Sequence, residues 1–169
     1  MGIAERRERE KEQRRNSILD AAEEIFFNRG IHLATMDEVA EKAEFSKGTL
    51  YLYFKSKEEL YHGIVIRALN LLKEMFKNAV AGHKTGLEQV RAIGEAYYEY
   101  SQKYINYFNM IIHYEASQLK NTISEEVLQR CHQLGHEVME LVASVVAQGV
   151  RDGSMRPDLN PLRTAYLLQ

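Results

Sequence analysis

The stretch from Thr35 to Lys57 constrains the fold of this chain most, because two helix starts lie close together in it. Thr35 is followed by Glu38 at the spacing of a capping box, in which each side chain accepts a hydrogen bond from the backbone of the other residue. Ser46 is a good N-cap for a second helix. Two short helices joined by a tight turn predict a helix-turn-helix over about residues 35–54.

The composition predicts an all-α protein that can bury a sizeable core. The chain has 169 residues, only two prolines, no tryptophan and long stretches rich in Ala, Leu, Glu and Lys. Its one cysteine, Cys131, excludes an intrachain disulfide. No signal peptide is predicted, and no apolar run approaches the roughly 18 residues that span a bilayer. We therefore expect a cytoplasmic protein with no membrane partner.

The charge pattern predicts a compact nucleic-acid footprint. The formal net charge is −2, and acidic and basic residues balance up to Lys57, so bulk charge does not indicate a nucleic-acid partner. Between Phe45 and Lys57, however, there are three lysines and no acidic residue. They alternate with Thr49, Tyr51 and Tyr53, whose hydroxyls can bond phosphate oxygens. A footprint of this size suits one groove of DNA.

A longer helix is predicted before the helix-turn-helix. Apolar residues spaced as on one helix face run from Ile18 to Phe26, and Gly30 is placed to end that helix. Packed across the two short helices, it would form a small core: Ile18, Phe26, Val39, Leu50 and Phe54. The charged residues up to Arg15 are interpreted either as a solvated helical extension or as an arm whose arginines reach a minor groove.

Residues 18–60 resemble the N-terminal DNA-binding domain of the TetR (tetracycline repressor) family of bacterial transcriptional regulators. Four linked segments carry the resemblance in the family's order and spacing: AAxxxFxxxG, TMDEVAEKA, SKGTLYLYF and SKEEL. The resemblance implies a ligand-responsive regulator, expected to be a repressor and not an enzyme. Such a regulator binds a pseudo-palindromic operator in double-stranded DNA as a homodimer, is released by a small-molecule effector and uses no cofactor.

The resemblance also implies a set of DNA-binding residues, since the first turn of the second short helix would enter the major groove. The set is Thr35, Ser46, Lys47, Gly48, Thr49, Tyr51, Tyr53 and Lys57. Thr35 and Ser46 are explained equally well as helix caps, and Tyr53 by packing against the first helix. Lys47 and Tyr51 have no such structural explanation and are the strongest candidates.

The rest of the chain is expected to form a helical ligand-binding and dimerisation domain, residues 56–169, joined by a long helix to the DNA-binding domain, residues 1–55. The predicted segments are a helix from Ser56 to near Gly82, one or two helices over 85–118 with a break near Asn106, a helix over 122–152 stopped by Gly153, and a helix starting at Asn160 and Pro161. In the family pattern two C-terminal helices complete a dimer interface. The chain stops eight residues after Pro161, so we expect this domain to be truncated and dimerisation of this chain to be in doubt.

A run of aromatic residues is interpreted either as ordinary core or as the wall of a ligand cavity. The residues expected to line such a pocket are Phe76, Tyr97, Tyr100, Tyr104, Phe108 and Met139. His132 and His136 are one helical turn apart and could suggest a metal site. No third ligand is placed nearby, so no metal site is predicted.

A second function class is a helical small-molecule-binding protein or enzyme whose N-terminal head contacts protein instead of DNA. The sequence contains no Ser-His-Asp set, phosphate loop or metal cluster that would favour catalysis. The DNA-binding regulator is therefore the preferred interpretation.

Overall fold

The computed structural model describes residues 2–114 and 124–168, and this part of the chain is all-α, with eight helices and no strand. The helices are α1 (Ile3–Arg29), α2 (Met36–Lys42), α3 (Lys47–Tyr53), α4 (Lys57–Val80), α5 (Gly86–Lys103), α6 (Ile105–Tyr114), α7 (Glu125–Arg151) and α8 (Pro161–Leu167). The predicted fold class is thus confirmed. Among the described helices, none combines the length and the apolarity needed to cross a membrane.

Local capping explains why most helices begin where they do. The side chains of Thr35, Ser46 and Asn160 each accept a hydrogen bond from the backbone N–H three residues later, as predicted. At the start of α4 the Ser56 hydroxyl accepts from the N–H of Glu59 at 3.2 Å. The Glu59 carboxylate accepts from the N–H of Lys55 at 2.7 Å, one residue before the position a capping box would use.

The first of two compact units comprises, among the described residues, 2–64 and 124–127. The five residues predicted for its core are all buried: Ile18, Phe26, Val39, Leu50 and Phe54. Helix α1 ends before Gly30, whose φ of 77° is the left-handed conformation that favours glycine. The charged N-terminal segment belongs to α1 and is mostly exposed, which both interpretations of this segment require.

The second unit comprises 65–114 and 128–168 among the described residues. Its core joins side chains from α4, α5, α7 and α8, with Tyr100 fully buried. The break between α5 and α6 lies at Tyr104 (φ −120°, ψ 45°), two residues before Asn106 and thus near the predicted position. Described helix α7 begins at Glu125, so the predicted start at Thr122 lies outside the described residues.

Candidate nucleic-acid interface and apolar cavity

Helix α2 is held at its first turn by a complete capping box. The Thr35 hydroxyl oxygen accepts from the N–H of Glu38 at 3.2 Å, and the Glu38 carboxylate accepts from the N–H of Thr35 at 2.9 Å. Glu38 also pairs with Arg29 of α1. The hydrogen bonds from Thr35 and Arg29 lower the pKa of the Glu38 carboxyl. Thr35 is exposed, but a structural role already accounts for its presence.

Helix α3 presents its first turn to solvent. The Ser46 hydroxyl caps the N–H of Thr49 at 3.1 Å and lies 2.9 Å from the Thr49 hydroxyl. Ser46, Lys47 and Gly48 are exposed and Thr49 is half-buried, while Leu50 is fully buried in the core of the first unit. The buried residue anchors the helix, so the side chains of its first turn are held in place at the surface.

The lysines of the predicted DNA-binding set differ in what they contact. The Lys47 ammonium lies 2.7 Å from a carboxylate oxygen of Asp37 on α2, and both side chains are more than half exposed. The hydrogen bond and the charge of Asp37 raise the pKa of Lys47. Lys57 instead donates to the backbone carbonyls of His32 at 3.2 Å and Ala34 at 3.4 Å. Its ammonium thus ties α4 to the loop that precedes α2.

The far part of α3 carries an exposed residue that the sequence analysis missed. Tyr51 and Tyr53 are half-buried, whereas Leu52 between them is 78 % exposed. Helical spacing in the sequence predicts this exposure, because a residue midway between the inward-facing Leu50 and Phe54 must point away from the core. Leu52 therefore joins Lys47 and Gly48 among the exposed residues of this helix.

The second unit contains a cavity of about 540 Å³ lined by residues of α4, α5, α6 and α7 and by the α8 segment. Five of the six residues predicted for a pocket line it: Phe76, Tyr97, Tyr100, Phe108 and Met139. Tyr104 is not among the lining residues. It caps the C-terminus of α5, and its ring stacks on Tyr107 at 6.3 Å and lies under the Lys103 ammonium.

Burial raises the pKa values of several polar side chains in the second unit. The Tyr100 hydroxyl donates to the carbonyl of Ala68 at 3.1 Å, and burial raises the pKa of this tyrosine. Burial also raises the pKa of the Cys131 thiol. The Tyr97 ring meets Phe76 edge-on at 6.2 Å, and partial burial raises its pKa.

The two histidines of α7 line the cavity and are exposed. His132 and His136 lie one turn apart, and His136 Nδ1 is 3.5 Å from a carboxylate oxygen of Glu140. Within residues 2–114 and 124–168 there is no group of three His, Cys, Asp or Glu side chains that could hold a metal ion. The pair therefore forms a polar edge of the cavity.

The amino-acid sequence of this chain is similar to those of known transcriptional regulators. The model of the tetR family of bacterial regulatory proteins matches residues 18–64. The transcriptional activator FasR of Mycolicibacterium smegmatis is 37 % identical over 90 residues, which are 53 % of this chain and 41 % of FasR. The transcriptional repressor KstR2 of Rhodococcus jostii is 31 % identical over 150 residues, which are 89 % of this chain and 72 % of KstR2.

Solved structures share the fold. The structure of AibR in complex with isovaleryl coenzyme A and operator DNA superposes with a TM-score of 0.71, covering 92 % of this chain and 81 % of AibR at 21 % identity. At that identity the similarity shows the fold alone. The identity with KstR2 extends over most of both chains, and the family model matches the helix-turn-helix region. The chain therefore belongs to the TetR family of bacterial transcriptional regulators.

Proposed function

We propose that this regulator is a homodimeric, ligand-responsive repressor that reads a pseudo-palindromic operator with α3 and releases it when a small molecule occupies the cavity of the second unit. Residues 1–55 would bind DNA, and residues 56–169 would bind the effector and the second protomer. A dimer would place two α3 helices in major grooves about 34 to 36 Å apart, one turn of DNA.

Gly48 is the observation that supports DNA reading by α3 most strongly. It is the second residue of α3, although glycine is a weaker helix former than alanine. Its φ is not in the left-handed region, and an added Cβ would meet only the Ser46 hydroxyl oxygen, at 3.9 Å. The fold therefore does not require glycine here. Close approach of an outside molecule such as DNA would require it.

The ion pair of Lys47 is compatible with a DNA contact. Asp37 and Lys47 are both exposed, and exposed pairs contribute little to stability. A DNA phosphate can replace the Asp37 carboxylate at small cost, and the release of counterions from DNA favours that exchange. Lys57 is proposed to act differently, since its ammonium already bonds two backbone carbonyls. It would hold the start of α2 in position and add positive charge near the DNA.

Helix α4 supports the proposed coupling between effector and DNA. Leu72 and Phe76 of this helix line the cavity, and Lys57 at its first position bonds the loop before α2. A ligand that shifts α4 would therefore act on the residues that hold α2. A differential affinity of about 1 to 3 kcal/mol between two states is enough to change DNA occupancy severalfold or more.

The relatives support repression and a small-molecule effector. KstR2, which matches over most of its length, is a repressor, whereas the match with the activator FasR covers less than half of that protein. AibR shows that this fold can hold a ligand and operator DNA in one complex.

The experiment that tests the proposal is selection of duplexes from a random pool by the full chain, followed by titration of the selected duplex at several salt concentrations. A salt-independent, sequence-independent result would refute it.

Replacing Lys47 by alanine is expected to weaken binding to every duplex and to reduce the slope of log K against log salt by about one, as for the loss of one phosphate contact. Asp37→Asn should bind severalfold more tightly at low salt, because it removes the carboxylate that competes with phosphate. Fluorescence anisotropy over a salt series measures both effects. Lys77→Ala is the matched control, since Lys77 is also exposed and paired, at 2.8 Å, with Glu74. An unchanged slope in Lys47→Ala would argue against a phosphate contact.

Leu52 is expected to read a thymine methyl group, because apolar side chains on a helix in the major groove contact that group. Removing one buried methyl costs about 0.8 kcal/mol, or roughly a fourfold loss of affinity. Thymines of the selected duplex are replaced one at a time by deoxyuridine, which lacks the methyl. At one position the replacement should weaken DNA binding by the wild-type protein but not by the Leu52→Ala variant. Equal losses in both proteins at every position would disprove this contact.

A further inference from the structure

The lining of the cavity restricts the charge of a ligand. Among the described residues that line it there is no Asp, Glu, Lys or Arg. A buried cation or dianion would therefore lack a charged partner, which costs several kcal/mol in an apolar site. A volume of about 540 Å³ is large enough for an apolar body of the size that ligand pockets commonly enclose.

The deep part of the cavity is lined mainly by apolar side chains. The Tyr100 hydroxyl, in a side chain with no solvent exposure, already donates to the Ala68 carbonyl. Tyr114 is 5 % exposed and Cys131 is 2 % exposed. A hydrogen-bond acceptor of a ligand, such as a carboxylate, placed at this depth would compete with the Ala68 carbonyl for the Tyr100 hydroxyl. The deep part of the cavity therefore suits hydrocarbon.

The two imidazoles of the lining lie on α7, and the side chains of Tyr97 and Tyr166 line the cavity from α5 and α8. His132 and His136 are exposed, line the cavity and are separated by one helical turn. Gly135 between them also lines it, and an added Cβ there would meet nothing within 4 Å. The surface between the two imidazoles is thus open, and ring N–H groups can donate to an anionic oxygen.

We propose that the effector is an amphiphile with one carboxylate, whose hydrocarbon body fills the aromatic part of the cavity and whose head lies at His132 and His136. The proposal rests on the proposed function, since it names the ligand class of the same cavity. Glu140 near His136 is exposed, so water screens its repulsion of the head. An amine head would have no acidic partner in the lining.

Three molecules with the same chain and different heads test the proposal: dodecanoic acid, dodecanol and dodecylamine. Each is titrated into the full chain without DNA, and displacement of the fluorescent probe anilinonaphthalene sulfonate is measured. The acid should bind about tenfold more tightly than the alcohol, as expected for one charge-assisted hydrogen bond, and the amine most weakly. The double variant His132→Ala, His136→Ala should lose that preference and bind the alcohol as wild type does.

Two further variants distinguish the contacts of the ligand's carboxylate head from those of its hydrocarbon body. His113→Ala is the matched control, because His113 is exposed on α6 and does not line the cavity. Gly135→Leu should fill the cavity from a position with free space, so that it folds as wild type does but binds neither acid nor alcohol. Equal or tighter binding of the amine, equal loss of acid and alcohol in the double-histidine variant, or no binding of any molecule to folded wild type would overturn the proposal. Binding of the acid without any change in operator affinity would refute the proposed release instead.

Discussion

Gly48→Leu is expected to abolish specific DNA binding while leaving the chain folded. The new side chain would project from the exposed first turn of α3 into space that the fold leaves open. Helix propensity favours leucine over glycine by up to about 1 kcal/mol, so the denaturation midpoint should be unchanged or higher. In the complex the same atoms would keep α3 out of the groove. Contacts worth about 1 to 3 kcal/mol each would then be lost, so affinity should fall by at least about thirtyfold.

The measurement is anisotropy with the selected duplex, paired with urea denaturation followed by circular dichroism. Gly48→Ala, which adds a single methyl, should show an intermediate loss of affinity and a small gain in stability. A gain in stability together with a loss of DNA affinity would show that glycine is needed at this position for binding. A glycine needed for the fold would instead lower the stability when it is replaced. If Gly48→Leu bound the duplex as wild type does, α3 could not approach DNA through its first turn.

Gly86→Ala, unlike Gly48→Leu, is expected to lower the stability of the chain by severely destabilising the second unit. A Cβ on Gly86 would lie 2.1 Å from the backbone nitrogen of Gly149 and 2.6 Å from the carbonyl oxygen of Val145. These are backbone atoms of α7, so no side-chain rotation can make room, and α5 would have to move. That movement would also disturb the hydrogen bond from the N–H of Gly86 to the Asp152 carboxylate, now 2.8 Å long. Overpacking of this kind costs about 3 kcal/mol.

Urea denaturation measures this effect, and Gly94→Ala is the matched control in the same helix. Nothing lies within 4 Å of a Cβ built on Gly94, so its replacement should stabilise the chain by about 0.5 to 1 kcal/mol through the preference of helices for alanine. Effector and operator binding should both fall in Gly86→Ala as the unit unfolds. Equal midpoints for wild type and Gly86→Ala would show that α5 and α7 do not approach each other this closely.

The sequence by itself determined the helix starts, because a cap depends on residues only three positions apart. Thr35 with Glu38, Ser46 with Thr49, and Asn160 with Arg163 form the predicted bonds. Helical periodicity likewise identified the core of the first unit, and the linked motifs of residues 18–60 identified the family. These inferences need no knowledge of how distant segments pack.

Only the tertiary structure decided which residues meet across the chain. Periodicity places Tyr97, Tyr100 and Tyr104 on one helix face, but it does not say which inward-facing side chains border unfilled space. That depends on how the helices of the second unit pack, and the structure leaves Tyr104 outside the cavity. Lys57 is a similar case, since the carbonyls it bonds lie 23 and 25 residues earlier in the chain. Contacts between residues that are distant in the chain are set by tertiary packing. The spacing of nearby residues in the sequence therefore does not predict them.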